Sequence, residues 1–230
     1  TGLALRIASL KAIEAAILVI VMLESVIGGR VIPPFTTNAI GQPRATIRSR
    51  LDQWVIGSTA ATLLVWALPS PGWLILMTAT VAAVLHGLRL SGWRTRHVLR
   101  HPLLWILHLS YAWIPVGLVL LGLSAMDIVT VSAAFHALAV GSMAGLMVGM
   151  ITRTALGHTG RLLAAGRAEI VMYGLIVSAA IARTAAALML PAYYQYLLIL
   201  SMLCWTATFA VYLAVYGPYL VNARIDGLEG

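Results

Sequence analysis

The chain has 230 residues, of which 61% are hydrophobic and only 10% charged, and Lys+Arg outnumber Asp+Glu 15 to 7. With a mean hydropathy of +0.94, this composition excludes a water-soluble domain, and the excess of base points to cytoplasmic loops and anionic lipid headgroups, not to nucleic acid. The single cysteine, Cys204, excludes an internal disulfide and a thiolate cluster.

Several stretches reach the ~20 apolar residues needed to span ~30 Å of hydrocarbon. The pattern predicts an all-α polytopic membrane bundle of about seven transmembrane helices over 12–29, 51–68, 72–88, 102–123, 128–150, 168–190 and 195–216. All of residues 1–230 read as one helical domain. There is no cleavable signal-peptide pattern, and the start at Thr1, without a methionine, reads as a processed chain or part of a longer one.

Pro33 and Pro34 are expected to stop the first helix. The connections alternate in character. Those around 69–72, 124–128 and 191–196 lack basic residues. The other three carry Arg30, Arg44, Arg48 and Arg50; Arg89, Arg94, Arg96 and Arg100; and Arg153, Arg161 and Arg167. The positive-inside rule places this second set in the cytoplasm. Arg6 and Lys11 are on the wrong side in that scheme. Tyr193, Tyr194 and Tyr196 fit an interfacial belt.

Ionisable groups within spans are candidate functional residues. His86, His108 and His136 lie in the third, fourth and fifth predicted helices. On a wheel of 100° per residue, Met143, Met147 and Met150 fall within about 40° of His136. Gly141, Gly145 and Gly149 fall on the opposite face, where they suit close helix packing. Imidazole suits iron and copper, and thioether suits copper(I) or a haem axial position; any single methionine reads more simply as packing filler. His108 shares a face with Trp105, Tyr111 and Pro115, which suits a macrocycle pocket or an aromatic belt. His86 has Ala79, Ala82 and Ala83 on its side. The three histidines fall roughly 3, 9 and 18 Å from the inner edge for His86, His108 and His136, so the first two match best as a bis-histidine pair. His158, between Arg153 and Arg161, reads as a metal or propionate partner or as a solvated loop histidine. His97 and His101, among arginines, read as a headgroup surface. Glu24 has no evident local partner, whereas Glu14 lies three residues from Lys11. Arg183 reads as snorkelling or meeting a propionate. No covalent haem-attachment motif is present, so a bound haem would be of b type.

Three segments together resemble the NnrS family of bacterial membrane proteins: IGGRVIPPFTTNAI at 27–40, PLLWILHLSYAWIP at 102–115 and HALAVGSMAGLMVGMITRTALGHTGR at 136–161; RLSGW at 89–93 also fits. The resemblance implies a multi-pass inner-membrane protein carrying haem b and copper and linked to nitric oxide metabolism and nitrosative stress, with a redox role on nitric oxide or metal-nitrosyl species as its implied chemistry. Family members are usually longer, and Pro34 stands where a second phenylalanine is expected. Carried onto this chain, His86, His108, His136 and Arg153 are the cofactor candidates, and His108, His136, Met147, Met150 and His158 the metal candidates. The site is expected between the third, fourth and fifth helices, closed at the cytoplasmic side by Arg153 and His158. The alternatives are a proton-coupled transporter or channel, and a haem-binding electron-transfer subunit associated with respiratory-chain subunits.

Overall fold

The computed structural model describes residues 2–41, 49–188 and 191–227, and Arg44 and Arg48 lie outside them. Seven long helices follow one another, with no strand among the described residues: α1 (Gly2–Ile40), α2 (Ser49–Ala67), α3 (Gly72–Ser91), α4 (Pro102–Ser124), α5 (Val131–His158), α6 (Arg167–Leu188) and α7 (Pro191–Val221). All but α2 are long and apolar enough to cross a membrane. Helix α2 falls short because its first turns carry Arg50, Asp52 and Gln53 and its middle Ser58, Thr59 and Thr62; Asp52 and Thr59 meet partners described below.

Helix α1 does not stop at the prolines. It continues through Pro33 and Pro34 to Ile40, a correction to the sequence expectation. A proline removes one backbone donor but not the acceptors around it, and in a membrane helix hydroxyl groups and neighbouring helices can re-satisfy such a turn. The carbonyls that lose their donors are those of Gly29 and Arg30, and one turn on the Thr36 and Thr37 hydroxyls lie 2.9 Å from the Ile32 carbonyl and 2.8 Å from the Pro33 carbonyl, additional bonds within the continuing helix.

Helix α4 forms the centre of the bundle. It packs against α1, α3, α5 and α6 and buries Ile106, Leu107, Tyr111, Ile114, Leu118 and Leu121 completely. Helix α5 lies along it through the predicted glycine face. A methyl group added at Gly141, Gly145 or Gly149 would meet Trp113, Ser110, or Leu107 and Ile106 of α4, respectively. Helix α7 packs on α6 and leaves most of its surface outward.

The helix ends carrying the arginine-rich connections share one pole. There Arg153 lies 4.1 Å over the Phe35 ring and Arg161 3.7 Å over the Tyr219 ring, while the Ile225 amide donates to the Thr159 carbonyl. At the opposite pole Thr130 donates to the Ala187 carbonyl at 2.9 Å, and Lys11 lies 4.0 Å over the Trp66 ring.

Helix α5 is not a uniform α-helix. Ala137–Ala144 is π-helical, between α-helical Val131–His136 and Gly145–His158. Insertions of this kind are rare and occur often at functional sites. The wider turn also changes which residues share a face.

Candidate functional site

Two features of the bundle bring candidate residues together. The first is a cluster where α1–α4 meet, centred on Arg89. Its side chain is 3% exposed, and its Nε lies 2.7 Å from Asp52 Oδ1 of α2. Its Nη1 donates to the Ser25 carbonyl of α1 at 2.7 Å and to the Tyr111 hydroxyl of α4 at 3.1 Å. The sequence reading placed Arg89 in a cytoplasmic connection; instead it is in the last turns of α3, pointing inward. Gly29 gives it room, because a methyl group there would overlap the guanidinium.

The donors around Arg89 set the state of His86. Since Arg89 already donates to the Tyr111 oxygen, the phenol hydrogen goes to His86 Nδ1, 2.7 Å away. His86 then carries its hydrogen on Nε2 and donates to Thr59 Oγ1 at 3.0 Å, while Thr59 donates to the Val55 carbonyl at 2.7 Å. His86 is therefore a neutral ring with both nitrogens in use, and it is fully buried. Tyr111→Phe should leave Nδ1 unpaired at a cost of about 1–3 kcal/mol. Thermal melting in detergent measures that loss, and ¹⁵N shifts of His86 should report the Nε2–H tautomer in the parent protein and a mixture in the variant.

His108, 1% exposed, is held in the same way by Thr36 Oγ1 at Nε2 (2.8 Å) and Thr95 Oγ1 at Nδ1 (3.0 Å). Both hydroxyls can also donate to backbone carbonyls, those of Ile32 and Leu90. A neutral ring donates from one nitrogen only, so one threonine must turn its hydrogen to the imidazole. Ring contacts run from His86 through Tyr111 (5.5 Å) and Trp93 (4.5 Å) to His108 (6.0 Å). The two histidines the sequence paired thus belong to one assembly, with Tyr111 and Trp93 between them. His108 alone borders a cavity, of about 210 Å³, which Trp105 and Thr95 also line.

The second feature is a cavity of about 460 Å³ between α1 and α5, lined by Glu24, Met143, Met147 and Met150 and bordered by Trp205 of α7. It is almost wholly apolar apart from Glu24, whose Oε2 accepts from Ser142 of the π segment at 2.6 Å. The partner of Glu24 that the sequence did not supply is therefore 118 positions away. This cavity, and not a space between α3, α4 and α5, collects the methionines.

The remaining predicted residues are dispersed. His136 is not among the lining residues of the methionine cavity; its Nδ1 donates to the Ser132 carbonyl at 2.6 Å. The π segment explains the separation. Each of its residues turns through less than 100°, so eight of them leave Met147 roughly a third of a turn from its expected position relative to His136. Arg153 lies at the basic pole against Phe35, and His158 is exposed at the end of α5. Among the described residues no three of His, Cys, Asp and Glu come together as a metal cluster.

The sequence reading missed Arg89, Asp52, Thr59, Thr36, Thr95 and Trp93. One signal was available for Arg89: it lies three residues after His86, so both share a helix face.

No curated protein matches the chain, and no solved structure does. The NnrS family model, described as NnrS protein, matches residues 2–224. With a match over nearly its whole length and a multi-helix apolar bundle, the chain belongs to the NnrS family of membrane proteins.

Proposed function

We propose that this membrane protein binds copper and haem b in nitric oxide metabolism or nitrosative-stress resistance, with copper(I) held in the methionine-lined cavity. The observation that carries the reading is the convergence of Met143, Met147 and Met150 on one cavity with the carboxylate of Glu24. Thioethers are soft donors that select copper(I), and a membrane-depth cavity keeps water away from it. Glu24, kept in place by Ser142, would add one hard donor and offset the positive charge. A haem between His86 and His108 does not fit this arrangement, because each ring has both nitrogens engaged and Tyr111 and Trp93 occupy the space between. A haem bound through His108 would have to displace Thr36 or Thr95.

The gathering of arginine-rich ends at one pole supports placement in the bacterial inner membrane with that pole in the cytoplasm. Association with respiratory-chain subunits belongs to the same reading. The rival reading, a proton path, draws on the continuous chain from Asp52 through Arg89, Tyr111 and His86 to Thr59. A guanidinium does not release its proton in a protein, so Arg89 interrupts that path.

The test is metal analysis with an optical spectrum of the purified chain after loading with copper(I) and haem. Replacing Met143, Met147 and Met150 by leucine conserves volume, at a cost below about 1.5 kcal/mol per site. Copper should fall to background in this variant while any haem absorption is unchanged. A parent protein that retains neither copper nor haem would overturn the proposal.

A further inference from the structure

The basic pole contains a further cavity, of about 270 Å³, lined by Arg100, His101, Pro102, Arg153 and Leu163 among others, with no carboxylate in its wall. Among the described residues, the acids of that pole are engaged elsewhere: Asp52 with Arg89, Asp226 with Arg224, and Glu169 with the Gly166 amide and Tyr216. Among the described residues, neither Arg100 nor Arg153 has an ion-pair partner.

Depth and surroundings narrow the ligand. Arg153 lies roughly 8 Å along the axis from the end of α5 at His158, the depth of a headgroup and not of open water. Leu163 of the cavity wall is 52% exposed and its chain neighbour Leu162 86%, an apolar surface that free phosphate would not need. Helix α4 begins at the same cavity with Pro102, so its positive end adds to the field. We infer that this cavity is a binding site for an anionic phospholipid, with the phosphate diester between Arg100 and Arg153 and an acyl chain along Leu162 and Leu163. The site is separate from the methionine cavity and does not rest on the metal reading.

The protein in non-ionic detergent, titrated with phosphatidylglycerol, phosphatidylcholine or inorganic phosphate while its melting midpoint is followed, tests this. Phosphatidylglycerol should raise the midpoint, more so at low salt; phosphatidylcholine and inorganic phosphate should not. Replacing Arg100 and Arg153 together by glutamine should weaken the apparent affinity for phosphatidylglycerol by about thirtyfold. Arg100→Gln alone, at an exposed side chain that the fold does not use, should weaken it about fivefold, and Arg96→Gln, outside the cavity, should leave it unchanged. An equal midpoint shift with phosphatidylcholine, a full shift with inorganic phosphate alone, or unaltered affinity in Arg100→Gln and the double variant would each overturn the proposal.

Discussion

Arg89→Met should destabilise the protein by about 3 kcal/mol, the low end of the cost of breaking a buried ion pair because Asp52 keeps 24% of its side chain exposed. The loss has three sources. Asp52 is left as a carboxylate without its partner, the Ser25 carbonyl loses a charged donor, and the Tyr111 hydroxyl loses the contact that directs its hydrogen to His86. These groups belong to α2, α1 and α4, while Arg89 belongs to α3, so one side chain ties four helices. Asp52→Asn keeps an acceptor near Nε and should cost less, about 1–3 kcal/mol. Gly29→Ala should approach the effect of Arg89→Met, because its methyl group displaces the guanidinium. In a double-mutant cycle, Gly29→Ala should add little once Arg89 is methionine. Equilibrium unfolding in mixed detergent measures each loss. Full stability in Arg89→Met would mean that the cluster does not hold these helices together.

The same cluster shows what could be read from the chain. His86 and His108 were visible because a histidine in an apolar run is conspicuous. Arg89 was not, because the positive-inside rule assigns an arginine at the end of an apolar run to a connection, and only the partners on α1, α2 and α4 make its burial tolerable. Those partners are serine, aspartate and tyrosine, one from each of three helices, and no local spacing relates them to Arg89. The glycine face of α5 was legible because its consequence, close approach to α4, depends on local spacing. The relation of His136 to the methionines was not, because the change to i→i+5 bonding over Ala137–Ala144 leaves no mark in composition. Glu24 and Ser142 face each other only because α1 packs on the π segment. Sequence patterning thus gave the helices and one packing face, and the contacts between distant helices decided where the chemistry collects.

Gly145→Val and Gly174→Ala should move stability in opposite directions, although both remove a glycine from a helix. At Gly145 the first added carbon already meets the Ser110 side chain of α4, and Ser110 is itself buried. Neither helix can yield locally, since Gly141 and Gly149 are pressed against α4 by the same face, so α4 and α5 must separate at a cost of about 2–3 kcal/mol. At Gly174 nothing lies within 4 Å of an added methyl group, and alanine should instead stabilise α6 by about 0.5–1 kcal/mol. The first substitution should also reach the cavity. Gly145 stands between Ser142, which holds Glu24, and Met147, and displacement of α5 from α4 pushes the methionine face toward α1. Copper retention should therefore fall in Gly145→Val and stay at the parent level in Gly174→Ala. A Gly145→Val protein that melts like the parent would show that α4 and α5 do not meet along this glycine face. A variant that is destabilised yet keeps its copper would separate the packing of α5 from the proposed metal site.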